Sequence, residues 1–155
     1  MPALQLISND NNKINSALSS QRMLDDARAS AMEKILNGGV LDPSLKIITT
    51  CLSKILGACH CQTILFDSKK QIFRALNKTS TQHPSLIAKI IEQVLNPSQE
   101  KAGKSIRQGK NVFYSDIYDS STWKRIYIEA KEIGIVGSWI IPIFSVNGSL
   151  KGVFV

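Results

Sequence analysis

The sequence predicts an α/β fold, α+β in finer terms: a mainly antiparallel sheet with helices on both faces. Two observations predict it. The C-terminal stretch "SWIIPIFSVNGSLKGVFV" reads as a β-hairpin around Asn147-Gly148, a pair that tolerates the positive φ of a tight turn. Both faces of that hairpin are apolar. With a two-residue turn, Ile143 faces Gly152 and Ile141 faces Phe154, so Trp139, Ile141, Ile143, Leu150 and Phe154 share one side. Ile140, Phe144, Val146, Val153 and Val155 share the other. A sheet apolar on both sides must be covered on both sides.

The elements follow in order. Residues 1–12 are polar and read as a flexible N-terminal segment. From Lys13 to Leu36, Ile14, Ala17, Leu18, Leu24, Ala31, Met32 and Ile35 recur near helical spacing, and Gly38-Gly39 reads as the stop. The stripe is thin and is interrupted by Gln21 and Arg28. Such a helix suits the sheet, or a second copy of itself. Asp42-Pro43 is a cap and first-turn proline for a second helix, with Leu45, Ile48, Leu52, Ile55 and Leu56 on one face and Gly57 as its end. "ACHCQTILFDSKKQIFRAL" reads as strand, turn at 67–70, and strand. A third helix opens at Pro84, carries Leu86, Ile87, Ile90, Ile91 and Val94, and breaks at Asn96-Pro97. "SQEKAGKSIRQGK" reads as a short helix ending at Gly109, and "NVFYSDI" as a strand. "DSSTWKRIYIEAKEIG" reads as a helix capped by Asp119, Ser120 or Ser121, with Trp123, Ile126, Tyr127, Ala130 and Ile133 on one face and Gly134 as its stop.

Composition narrows the function. At 155 residues the chain is one domain's worth, and no apolar run approaches the roughly 18 residues that span a bilayer. The N-terminus lacks the basic region and long apolar core of a secretory signal. The three cysteines, Cys51, Cys59 and Cys61, form no regular framework, which fits a reducing compartment, so a cytoplasmic location and no membrane association are expected. The formal charge is +7, but Lys and Arg are scattered among acids with no run of five or more like charges, so nucleic-acid binding is not expected.

Several motifs suggest chemistry. "CHC" at 59–61 resembles metal ligands, yet on a strand Cys59 and Cys61 face one way and His60 the other, with no second cluster to complete a site. Small buried hydrophobes is the plainer reading of the cysteines. "AGKS" at 102–105 lacks the glycine that a phosphate loop needs five residues before Gly103, where Ser98 stands. His83 precedes Pro84 and reads as a helix-entry residue. No "GxSxG" occurs, and Asp116 and Asp119 read as strand terminator and cap as readily as an acid/base pair. No catalytic set, metal site or cofactor is expected. Trp123, Tyr127 and Trp139 are the candidates for the wall of a small-molecule cavity, with Asp116 as its polar anchor; core packing is the alternative.

The final 45 or so residues add a resemblance. Asp116, Ile117, Trp123, Tyr127, Ala130, Gly134, Ser138, Trp139, Pro142, Ile143, Ser145, Gly148, Gly152 and Phe154 occur in the order and spacing found in the C-terminal half of GAF domains from bacterial signalling proteins. The chain departs from that pattern at Ser120-Ser121, where an Asp-Pro pair is usual, and at Ala102, where a cysteine falls in many members. The second departure argues against the methionine-sulfoxide reductases that share the fold. The resemblance implies a GAF-like sensory domain over residues 13–155, incomplete at its C-terminus because such folds continue with a further helix. It implies an input domain that binds a small ligand or mediates homodimerisation. It also implies a fused C-terminal effector domain for cyclic di-GMP turnover or histidine kinase activity. A ligand-free dimerisation module and a redox enzyme acting on free methionine sulfoxide are the alternatives.

Overall fold

A computed structural model describes residues 2–38, 41–57, 59–75, 83–96 and 101–155. Gly39 and Pro97, read above as parts of helix stops, lie outside the described residues. The chain divides into two compact units, Met1–Ala58 and Cys59–Val155. No helix among the described residues is long and apolar enough to cross a membrane.

The first unit is a pair of helices, α1 (Pro2–Leu36) and α2 (Leu41–Leu56). The helical backbone of α1 takes in residues 2–12, read above as a flexible N-terminal segment: nine of those eleven positions are neither Gly nor Pro nor β-branched, and the one proline, Pro2, stands at the helix start where it is tolerated. Gly38, at φ 75°, turns the chain after α1, and its amide bonds to the Ile35 carbonyl. In α2 the buried residues are Ser44 and Cys51, on a face offset from the expected Leu45–Leu56 stripe, and Leu56 is exposed. The Cys51 thiol donates to the Met23 carbonyl at 3.2 Å, tying the two helices together. Gly57, at φ 79°, ends α2 where the sequence places its stop.

The second unit is built on a five-stranded antiparallel sheet of order β2-β1-β5-β4-β3, comprising β1 (Thr63–Asp67), β2 (Ile72–Ala75), β3 (Val112–Tyr114), β4 (Ser138–Phe144) and β5 (Leu150–Phe154). This is a mixed α+β architecture consistent with a GAF-like fold. Its helices are α3 (Pro84–Ile90), which widens into a π turn over Ile91–Leu95, α4 (Lys101–Arg107) and α5 (Tyr127–Glu132). Strand alternation sends Ile64, Phe73, Ile140 and Val153 to one face, where they join Leu86, Ile90, Val94, Leu95, Ile106, Trp123 and Ile126 in a single core. The three described helices of the unit all contribute to that core, so they cover the same face. The other face carries Leu65, Phe113, Trp139, Ile141, Ile143 and Phe154, and Phe113 and Trp139 are 68% and 57% exposed.

The hairpin keeps the expected pairs, Ile141 with Phe154 and Ile143 with Gly152, but its turn differs. Ser145 and Ser149 close a three-residue loop: the Ser145 amide donates to the Ser149 carbonyl and the Gly148 amide to the Ser145 carbonyl, both at 2.9 Å. Only Gly148 has positive φ there, and the register shifts between Ile143 and Phe144. This is the three-residue turn with a glycine bulge rather than the two-residue primed turn. The extra residue moves Leu150 off the Trp139 side and onto the core. Gly152 permits the close pairing of β5 with β1, since a Cβ there would collide with the Ile64 carbonyl.

The helix read over residues 119–134 is shorter than its pattern. Residues 117–126 form successive turns with amide bonds to the third residue back, such as Trp123 to Ser120 and Ile126 to Trp123, and α5 begins only at Tyr127 with no side-chain cap. Its apolar spacing still holds: Trp123, Ile126 and Ala130 are buried, and Gly134 at φ 77° stops it.

Candidate functional site

The four residues singled out for a ligand site do not surround one cavity. Trp123 is 1% exposed and belongs to the core on the helical face. Trp139 follows the alternation of β4, next to buried Ile140, onto the opposite face, where its ring meets Phe113 edge-on at 6.4 Å. Tyr127 is partly exposed, its ring edge-on to Tyr118 at 6.3 Å. Asp116 is exposed and accepts the Tyr118 amide at 2.8 Å, a local turn in which the Tyr118 hydroxyl also donates to the Ile135 carbonyl.

A cavity does lie against Tyr114, the ring neighbour of Trp123. It holds about 390 Å³ and is lined by Ala102 and Ser105 from α4, Val112 and Tyr114 from β3, and Asp119–Thr122 from the turn segment. Ala102 is buried and Val112 and Tyr114 are half-buried, so they form its floor; Asp119 and Ser121 are exposed at its mouth. The Tyr114 ring lies edge-on to Trp123 at 5.9 Å. Among the described residues, five hydroxyls and one carboxylate line the space, with no Lys or Arg. The cap-like residues Asp119–Ser121 therefore form a cavity wall rather than a helix cap. The run of side chains able to cap was the one sequence signal for this wall; Ser105 and Tyr114 carried none.

Two buried polar atoms around this floor lack partners among the described residues, Trp123 Nε1 and Ser138 Oγ. Ser138 stands directly across the ladder from Tyr114. Leaving a buried indole N–H unpaired costs about 1–3 kcal/mol, so such groups commonly mark a place where water or a ligand completes the bonding.

Gly103, the residue that suggested a phosphate loop, has a packing role. It lies where α4 crosses the Leu95 carbonyl, and a Cβ there would come within 2.5 Å of that oxygen. Arg107, one turn on, places its guanidinium over the Phe73 and Phe66 rings at 5.5 and 5.9 Å. Lys89 of α3 pairs with Glu129 of α5. Among the described residues no group of three or more His, Cys, Asp or Glu side chains is arranged to hold a metal ion. Cys59 and Cys61 lie just before β1 rather than on it, half-buried, with their sulfurs 3.6 Å apart.

In the first unit, a groove of about 580 Å³ between α1 and α2 is lined by Met23, Ala27, Ile47 and Cys51 together with Asp26 and the lysines 34, 46 and 54.

Comparison with known proteins adds one relationship. The chain is similar to a protein described as "Methyl sulfide methyltransferase-associated sensor" from Methanosarcina acetivorans, 26% identical over 124 residues. The match covers 79% of this chain and 12% of that protein, so the chain spans a small part of the length of the curated relative. No protein-family model matches the chain.

Proposed function

We propose that this chain is a GAF-like sensory input domain that binds a small polar ligand in the cavity between α4, β3 and the 119–122 turns. The observation that carries the reading is the hydroxyl-rich cavity itself, one of whose walls, Tyr114, packs edge-on against Trp123, a buried indole whose Nε1 lacks a partner among the described residues. With Asp119 at the mouth and no lysine or arginine among the described lining residues, the site on this reading favours a neutral or cationic molecule over an anion. The relative's description as a sensor supports the sensory role. On this reading the ligand biases the packing of the 117–126 turns against the sheet, and acts only through its differential affinity for the two packings. A fused effector, cyclic di-GMP turnover or a histidine kinase, receives that bias in the cytoplasm.

Homodimerisation through α1 is part of the same proposal. Ile14, Leu18, Met32 and Ile35 are each at least half exposed and fall on the alternating four- and three-residue steps of a heptad seam, with Gln21, Asp25 and Arg28 at its middle. Polar residues at such positions set register at a cost in stability.

Native mass spectrometry of freshly purified protein, followed by calorimetric titration with small neutral, cationic and anionic compounds, tests the ligand reading. A neutral or cationic compound that binds the wild type and not a Ser120→Leu variant supports it. Binding confined to anions, or undiminished by filling the cavity, overturns it.

A further inference from the structure

The cysteines of the "CHC" stretch play no part in the ligand reading, and their geometry supports a separate activity. Their sulfurs are 3.6 Å apart, van der Waals contact, and both side chains are half-buried and reachable from solvent. Between them, His60 turns its ring edge-on to His83 at 4.8 Å, an anchor that holds the middle residue to the start of α3. Just beyond them, Gln62 exchanges two backbone hydrogen bonds of 2.8 Å with Val155. The two thiols are thus held side by side on a segment fixed at its middle and at its end. With no third ligand beside them among the described residues, the pair suits sulfur chemistry better than a closed metal site.

We propose that Cys59 and Cys61 form a reversible thiol–disulfide site that exchanges with a low-molecular-weight disulfide. In the first step the Cys61 thiolate attacks one sulfur of RSSR, forming a protein–S–S–R bond and releasing one RS⁻. In the second, Cys59 gives its proton to solvent and attacks the Cys61 sulfur, forming the 59–61 bond and expelling the second RS⁻. Two protein thiols lose two electrons and two protons, and one RSSR becomes two RSH. Closing the gap to the roughly 2.0 Å of a disulfide takes a modest rotation of the two side chains. A ring across only one intervening residue is strained, and strained, accessible disulfides are the readily reduced ones, so the site cycles rather than locks. The order of attack agrees with the thiols' surroundings: burial first, then the hydrogen bond and charge of Cys61, push the Cys59 thiol up, which suits it to the resolving step. Cys51 is an internal contrast, buried in the helix pair with its thiol bonded to the Met23 carbonyl.

The closed ring would fix the backbone of residues 59–61 just before β1, independently of any ligand in the cavity lined by Tyr114.

The test is to equilibrate the full chain in mixtures of oxidised and reduced glutathione, quench with acid, alkylate, and map the peptides by mass. Expected is a peptide carrying 59–61 that is two hydrogens lighter and unalkylated, while Cys51 is alkylated, and that reopens with reduced dithiothreitol. Cys51→Ser leaves this unchanged, Cys61→Ser abolishes it, and Cys59→Ser accumulates a stable glutathione adduct on Cys61. Three outcomes in the wild type overturn the proposal: stable adducts on both thiols without ring closure, a bridge involving Cys51, or full alkylation of Cys59 and Cys61 across the whole redox range.

Discussion

The Asn96 side chain bonds both backbone groups of Phe73: its Oδ1 accepts the Phe73 amide at 2.6 Å and its Nδ2 donates to the Phe73 carbonyl at 3.2 Å. Strand β2 is the edge of the sheet among the described residues, so the outward-facing backbone of Phe73 has no neighbouring strand there. Asn96 replaces that strand with an amide that copies a peptide group. The π turn makes this possible, since the Asn96 amide bonds back to the Ile91 carbonyl and directs the residue toward β2.

Replacing Asn96 by alanine should lower stability by about 1–3 kcal/mol, because the backbone groups of buried Phe73 would lose their partner. Asn96→Asp should lose nearly as much at neutral pH, since a carboxylate cannot donate to the Phe73 carbonyl. Urea denaturation measures both, and losses under about 0.5 kcal/mol would contradict the role given to this residue.

Gly103→Ala sets two effects against each other. Alanine favours a helix over glycine by about 1 kcal/mol, whereas forcing a Cβ against the Leu95 carbonyl costs about 1–3 kcal/mol. The backbone contact should win, giving a lower melting temperature. A rise on thermal melting would show that α4 can move away from Leu95 freely.

Asp67 supplies the pH dependence. The Lys70 amide chiefly, with the Lys69 amide and the charges of Lys70 and Arg74 adding, holds its carboxyl below the ordinary 3.8. A group depressed on folding contributes stability that is present above its unfolded value and is lost as pH falls through its folded value. Asp67→Asn should therefore differ most from the wild type at neutral pH, with the difference shrinking from about pH 5 downward. Denaturation midpoints taken from pH 7 to pH 2 would show this; a difference that grows on acidification would reverse the assignment.

Trp123→Phe keeps most of the ring in the core and removes the unpaired N–H. Without ligand, the loss of packing and the relief of the unpaired donor, each about 1–3 kcal/mol, should nearly cancel. With a ligand that accepts from the indole, affinity should fall by about tenfold, near 1.4 kcal/mol. Titration calorimetry separates the two, and a ligand held equally by both proteins would place its acceptor elsewhere.

Much of the fold was legible because short-range patterns and long-range packing agree. The pairing of Ile141 with Phe154 and of Ile143 with Gly152 follows from alternation alone. The turn was misread because Asn147-Gly148 fits two kinds of hairpin, and the choice is made by Ser145, whose hydroxyl bonds to Ser149 and Asn147 and widens the loop. The cavity was harder to find. The Asp119–Ser121 run looks like a helix cap, and only the turns between Ile117 and Ile126 show that no helix starts there. Trp123 and Trp139 were grouped by residue type, whereas burial of Ile140 decides that its neighbour Trp139 faces the other way.

That separation has a practical consequence. The chain has two tryptophans, one sealed in the core against Tyr114 and one open on the far side of the sheet. Their natural fluorescence should split into a blue-shifted component that soluble acrylamide barely dims and a red-shifted one that it quenches. An event at the cavity and a contact on the outer face would then report in different colours from the same unlabelled protein.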